Sequence, residues 1–231
     1  MAEWKPRRSP QYSRLSGPQN RSPAVMSQRF EPSDSLDDFP TPRWATRALI
    51  EHVLGTAVSR RHSCWEPTCG RGFMAATLGE YFDTVRASDI HPYGFGEIAD
   101  FLDSPIAQTA TDWIITNPPF RLAEEFARLA IARATVGSAM LVRTGFLEGA
   151  GRYDRLFSKT RPAVVAQFVE RVPILRGRVD QAASTATGYC WIVWSEAPAA
   201  QTEFAWIPPC RKDLERPGDY EMPLAPNMGR A

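Results

Sequence analysis

Two rhythms of apolar and polar residues alternate along the chain between residues 41 and 207. The first is helical: Trp44, Ala48, Leu49, Val53 and Leu54 recur at helical spacing up to Gly55. Thr41-Pro42 stands before them, with Thr suited to the cap and Pro to the first helical position. The second rhythm is short apolar runs, at 63–66, 85–88, 112–116, 138–143, 163–169, 189–194 and 204–207, which predict strands. Helical patterns at 73–82, 121–134 and 147–158 fall between them. Strand and helix alternating over 41–170 predict an α/β, doubly wound, mostly parallel sheet. The last two runs have no helix between them, which predicts that they pair antiparallel. Trp191 and Trp194, three apart on a strand, should face opposite sides. In such a sheet a ligand sits past the carboxyl ends of the strands, where strand order reverses.

The flanks read differently. Residues 1–40 carry six prolines and no apolar period, and predict a disordered tail. Its first thirty residues have a net charge of +5, and the next eight carry four acids. Residues 208–231 carry five prolines and predict a second tail, leaving 41–207 as one catalytic domain. The chain of 231 residues has a net charge of +1, 43% hydrophobic and 23% charged residues, the profile of a globular protein. No apolar run approaches the ~20 residues that span a bilayer. Residues 1–10 lack the apolar core of a secretory signal, so the expected location is cytoplasmic. Cys64, Cys69, Cys190 and Cys210 have neither disulfide nor zinc spacing, and no metal is expected. Only three basic residues are lysines; the other 24 are arginines. Arginine is the better bidentate phosphate ligand, although codon bias produces the same count.

Four constellations carry chemistry. Glu66-Pro67-Thr68-Cys69-Gly70-Arg71-Gly72 joins a strand to a helix through a glycine turn. Glycines let a ligand approach the backbone closely, and the acid suits an ammonium rather than a phosphate. Asp89 follows the second strand, where a carboxylate accepts from ribose hydroxyls or caps a loop. Asp100-Phe101 places an acceptor beside an aromatic ring, suited to an adenine, although Phe101 fits a core as well and Asp103 competes with Asp100. Asn117-Pro118-Pro119-Phe120 follows the buried run Trp113-Ile114-Ile115. Its two prolines remove N–H donors and stiffen the loop. The Asn117 side-chain oxygen and the Pro118 carbonyl remain as acceptors for an NH₂ group, and Phe120 offers a face for a planar ring.

These motifs resemble those of the S-adenosylmethionine-dependent DNA adenine-N6 methyltransferases. Residues 66–72 match the family's acid-Pro-x-x-Gly-x-Gly loop, and 117–120 match its Asn-Pro-Pro-aromatic motif. Phe39-Pro40-Thr41-Pro42 is similar to the family's Phe-x-Thr-Pro segment. Motif order resembles the gamma-type arrangement, and the stretches 145–149 and 183–189 are similar to short enzymes of phages and prophages. The resemblance implies a Rossmann-like methyltransferase sheet and S-adenosylmethionine as cofactor. It implies that Thr41, Glu66, Pro67, Cys69, Gly70 and Gly72 hold the methionine end, Asp89 the ribose, and Asp100 with Phe101 the adenine. It implies a flipped target adenine, held by Asn117 and Pro118 in the loop stiffened by Pro119 and stacked on Phe120. It also implies a bacterial or phage-infected cell, with or without a restriction nuclease alongside.

Segment 143–178 has a net charge of +5, and Arg143, Arg152, Arg176 and Arg178 are its candidate nucleic-acid contacts. Loop 171–188 is the candidate reader of base edges. A domain of about 167 residues leaves no room for a large recognition domain. Specificity then comes from this loop, the tails, or a partner, whether a second copy or a separate subunit. RNA amino groups and a catalytically idle nucleic-acid-binding module are the rival readings.

Overall fold

The computed structural model describes residues 38–56, 60–103, 110–197 and 199–225. Of the tail expected over 1–40, residues 1–37 lie outside the described residues, as does the chain end at 226–231; residues 38–40 are packed on the domain, with Phe39 buried. The elements are α1 (Arg43–Leu49, continued by a π-helical turn Ile50–Leu54), β1 (Ser63–Glu66), α2 (Phe73–Leu78), β2 (Thr84–Asp89), β3 (Glu97–Ile98) and β4 (Thr111–Thr116). Then come α3 (Ala123–Arg133), β5 (Ala134–Arg143), a 3₁₀ turn (Thr144–Leu147) and α4 (Ala150–Arg152, continued as a π turn Tyr153–Phe157). The chain closes with β6 (Val164–Phe168), β7 (Tyr189–Ser195), β8 (Glu203–Ile207) and α5 (Arg211–Leu214).

Eight strands form one sheet in the order β3-β2-β1-β4-β5-β7-β6-β8. Strand β7 alone runs against its neighbours, antiparallel to both β5 and β6. Side-chain parity sorts the sheet into two buried layers. Cys64, Ile115, Leu141, Trp191 and Val193 face α1 and α2 through Trp44, Ala48, Met74 and Leu78. Trp65, Ile114, Met140, Ile192 and Trp194 face α3 and α4 through Phe126, Ala130 and Leu156. The two tryptophans of β7 thus lie on opposite faces, as their spacing predicts.

Three expectations change. The last two strands do not pair with each other: β8 lies beyond β6 and runs parallel to it. Tyr189–Trp194 is buried throughout, as an inner strand requires, whereas Phe204 and Trp206 are exposed on an edge. Second, the helix starts at Arg43, with Pro42 at the cap and no side-chain capping bond. The Thr41 hydroxyl is committed elsewhere. Third, the segment expected to be a free tail after residue 207 is tied down through residue 219. Arg47 is buried, and all five of its N–H donors are used. They reach Glu80 at 2.7 and 2.8 Å, Asp219 at 2.6 and 2.9 Å, and the Leu214 carbonyl at 2.7 Å. Glu170 accepts from the N–H groups of Cys210 and Arg211 at 2.8 and 2.7 Å, fixing the start of α5.

Candidate functional site

Strand order reverses between β1 and β4, and the carboxyl ends of β1, β2 and β4 deliver Glu66, Asp89 and Thr116 to that crevice. Glu66 is 2% exposed, and its Oε2 has no hydrogen-bond partner. Burial, reinforced by the Asp89 charge, pushes its carboxyl well above the usual carboxylate range; the Ala75 N–H offsets only part of this. Burial also raises Asp89, against the pull of two backbone donors. Its Oδ2 accepts from the Gly70 N–H at 2.9 Å and its Oδ1 from the His91 N–H at 3.0 Å. Each oxygen keeps a free lone pair for a further donor. Asp89 therefore also shapes the glycine loop. Gly72 caps α2 at φ +88°, and a Cβ there would lie 2.2 Å from the Phe95 ring. Only glycine fits.

The Asn117 loop is held from below. Its Nδ2 donates to the Phe39 carbonyl at 3.0 Å and to the Thr41 hydroxyl at 3.2 Å. With the nitrogen so committed, Oδ1 is left buried and without a partner. Thr68 joins the glycine loop to the Asn117 loop, its hydroxyl bonding to Thr116 and donating to the Asn117 carbonyl at 3.2 Å. The Phe120 ring packs against the Phe39 ring, tilted 49° at 5.1 Å, and carries the Arg143 guanidinium 3.8 Å over its centre.

Other expected residues are placed differently. Phe101 is buried in the α3 layer, stacked on Phe126 at 5.0 Å and edge-on to Trp65 at 5.1 Å, so its ring is a core ring and offers no cofactor face. Asp100 accepts from the Leu102 N–H at 2.8 Å, an Asx turn that leaves its other oxygen open. Cys69 is buried against Ala75 and Phe95, and burial pushes its thiol up. Pro67 begins the turn after β1, and Pro118 and Pro119 lie in the irregular loop after β4. Arg152 donates to the Phe146 and Glu148 carbonyls at 2.8 Å and stacks on Phe146, so it braces its own turn. Arg176 is exposed, and Arg178 is exposed beside Asp180 at 3.6 Å. The Cys210 thiol is buried and pushed up to about 12, unsuited to nucleophilic work.

Sequence reasoning gave no separate role to Phe39 and Thr68, which bond to the Asn117 loop, or to Asp38. Asp38 pairs with Arg71 at 3.0 Å, and its carbonyl accepts from the Gly177 N–H at 2.8 Å. Ile90, directly after Asp89 at the end of β2, is 55% exposed. Its position next to a candidate ribose acid is a signal readable in sequence.

No protein-family model and no curated protein sequence matches the chain. Solved structures do. A modification subunit of a candidate type I restriction enzyme from Vibrio vulnificus aligns with a TM-score of 0.55 and 14% identity, over 73% of this chain and 47% of that one. A candidate RNA methyltransferase from Pyrococcus horikoshii aligns at 0.51 and 16%, over 72% and 91%. A protein from Thermoplasma acidophilum aligns at 0.50 and 17%, over 71% and 92%. The chain thus spans about half the length of the Vibrio subunit. At these identities the likeness is one of fold: a Rossmann-like methyltransferase sheet.

Proposed function

We propose that the chain transfers a methyl group from S-adenosylmethionine to the N6 amino group of adenine in DNA. The buried, partnerless Oδ1 of Asn117 carries the reading. An unsatisfied buried acceptor costs stability unless a ligand supplies its donor. An amino group supplies it, and the adjacent Pro118 carbonyl can take the second proton. With Pro118 and Pro119 in the turn, no competing N–H is present there.

The cofactor fits another of the buried atoms without a partner, in the crevice at the strand ends. Glu66 Oε2 suits an ammonium, the free lone pairs of Asp89 suit ribose hydroxyls, and Ile90 suits the face of a purine. Bound S-adenosylmethionine would supply an electrophilic methyl carbon with a neutral thioether as its leaving group, and the amino proton lost on methylation would pass to solvent. No protein nucleophile is required. The chain's share is orientation and electrostatics. Asn117 and Pro118 aim the amino group and draw on its protons, which frees the nitrogen lone pair. Phe120 holds the ring plane. The likeness of fold to a restriction modification subunit and the motif order favour DNA. Sequencing modified bases in DNA from cells expressing the chain should report N6-methyladenine in one sequence context. Unmodified DNA with methyl-labelled RNA would transfer the reading to RNA.

Glu66 gives a second test. Its folded-state value is raised, so its contribution to stability is present below about 4.5, the usual glutamate value, and is lost as pH rises through the folded value. Glu66→Gln should therefore raise the melting temperature of the ligand-free protein at neutral pH. The same change removes the ammonium's partner and should weaken cofactor binding about 10–100-fold. Melting curves and calorimetry read the two opposite effects. Unchanged cofactor affinity would remove Glu66 from the site.

A further inference from the structure

The ring face proposed for the target base carries a guanidinium. Arg143 sits 3.8 Å over the centre of the Phe120 ring, and the Phe39 ring packs beside it at 5.1 Å. A planar base that stacks on this face of Phe120 must displace Arg143. Arg143 is exposed, and among the described residues it has no ion-pair partner. Two other arginines of segment 143–178 are committed: Arg152 to carbonyls, Arg155 to Glu124 at 2.8 Å. The Arg143 backbone is fixed in the β5–β7 ladder opposite Tyr189, and the next N–H, of Thr144, donates to the Gly188 carbonyl at 3.0 Å. Only the side chain is free to leave.

Resting on the function proposed above, the geometry points to Arg143 as a displaceable cover and phosphate ligand. It shields the Phe120 face while no base is bound. When the base enters, the guanidinium leaves the ring and takes a phosphate beside the flipped nucleotide. Base–aromatic stacking is stronger than an exposed guanidinium–ring contact, so the exchange runs toward the base. Among the described residues the freed charge has no carboxylate partner to return to, and it meets the backbone of the substrate. The site therefore takes an adenine joined to a phosphate and discriminates against a free nucleoside.

The test is tritiated methyl transfer to unmethylated plasmid DNA by wild type, Arg143→Ala and Arg143→Lys over a series of salt concentrations. Arg143→Ala should lose about tenfold in kcat/KM for DNA at low salt, and its log–log salt slope should fall by about one. Arg143→Lys should keep the slope, because it keeps the charge. Adenosine, which has no phosphate, should compete better against Arg143→Ala than against wild type. Arg143→Ala with an unchanged slope overturns the inference, whether its rate is normal or reduced; a reduced rate at unchanged slope makes Arg143 a prop for Phe120. A wild type that methylates no polynucleotide overturns the functional reading as well, and that result is read before any variant is made.

Discussion

Asn117→Ala is expected to lower kcat for methyl transfer about 10²–10³-fold, the loss typical of removing one preorganised group aimed at a transition state. The cofactor dissociation constant should hardly move, because Glu66, Gly70 and Asp89 stand on other loops. The orientation of the amide is what makes the prediction specific. Two oxygens, from Phe39 and Thr41, hold Nδ2, so Oδ1 is the atom offered to a substrate. Asn117→Asp separates the two roles. It keeps the acceptor but sets a carboxylate oxygen against the Phe39 carbonyl, which has no proton to give. That variant should keep cofactor binding and fall below wild type in rate, with a looser segment 38–41. Single-turnover transfer of labelled methyl, with calorimetry for the cofactor, reads both. Wild-type turnover in Asn117→Ala would remove this residue from the chemistry.

What was legible in the sequence follows from the range of each interaction. The runs of β1, β4, β5 and β7 are apolar because both faces are buried, and that shows within a few residues. Strand β3 is only Glu97–Ile98 and leaves no run to see. The neighbour of β7 is invisible locally, since β8 also opposes it in direction; burial of β7 and exposure of Phe204 and Trp206 decide the order. The positions of Glu66, Asp89 and Asn117 are legible because each directly follows or ends a strand. Phe101 misleads for the opposite reason: its ring is claimed by Trp65 and Phe126, distant in sequence. Thr41 reads as a helix cap until Asn117, 76 residues away, takes its hydroxyl. Charge counts fail in the same way. They treat Arg47, Arg152 and Arg155 alike with Arg143, although the first three are already bonded within the chain.

Arg47 makes the second large prediction. Its guanidinium and the Asp219 carboxylate are 1% and 3% exposed, and breaking a buried pair by removing one partner costs about 3–5 kcal/mol. Against a total stability of about 5–15 kcal/mol this is a large share. Arg47→Met should cost the most. It leaves Asp219 buried, with the Arg216 N–H at 2.9 Å and Arg43 only at 3.7 Å. Asp219→Asn should cost less, because Arg47 keeps Glu80 and the Leu214 carbonyl. The melting temperature of Arg47→Met should fall by roughly 6–20 °C. Acid should expose the same pair. Burial alone would raise the Asp219 carboxyl, but hydrogen bonds from Arg47 and the Arg216 N–H, with the charges of Arg47 and Arg43, hold it below its usual 3.8. Its contribution is therefore full above that value and is lost as pH falls through the lower, folded one. Asp219→Asn should flatten that part of the acid limb of the stability curve. The double variant Arg47→Met with Asp219→Leu should recover much of the loss, since apolar replacement of a buried pair is often neutral. Recovery would show that the penalty comes from the stranded charge. A double variant as unstable as Arg47→Met would show instead that the bonds of Arg47 to Glu80 and Leu214 anchor residues 208–219 to α1.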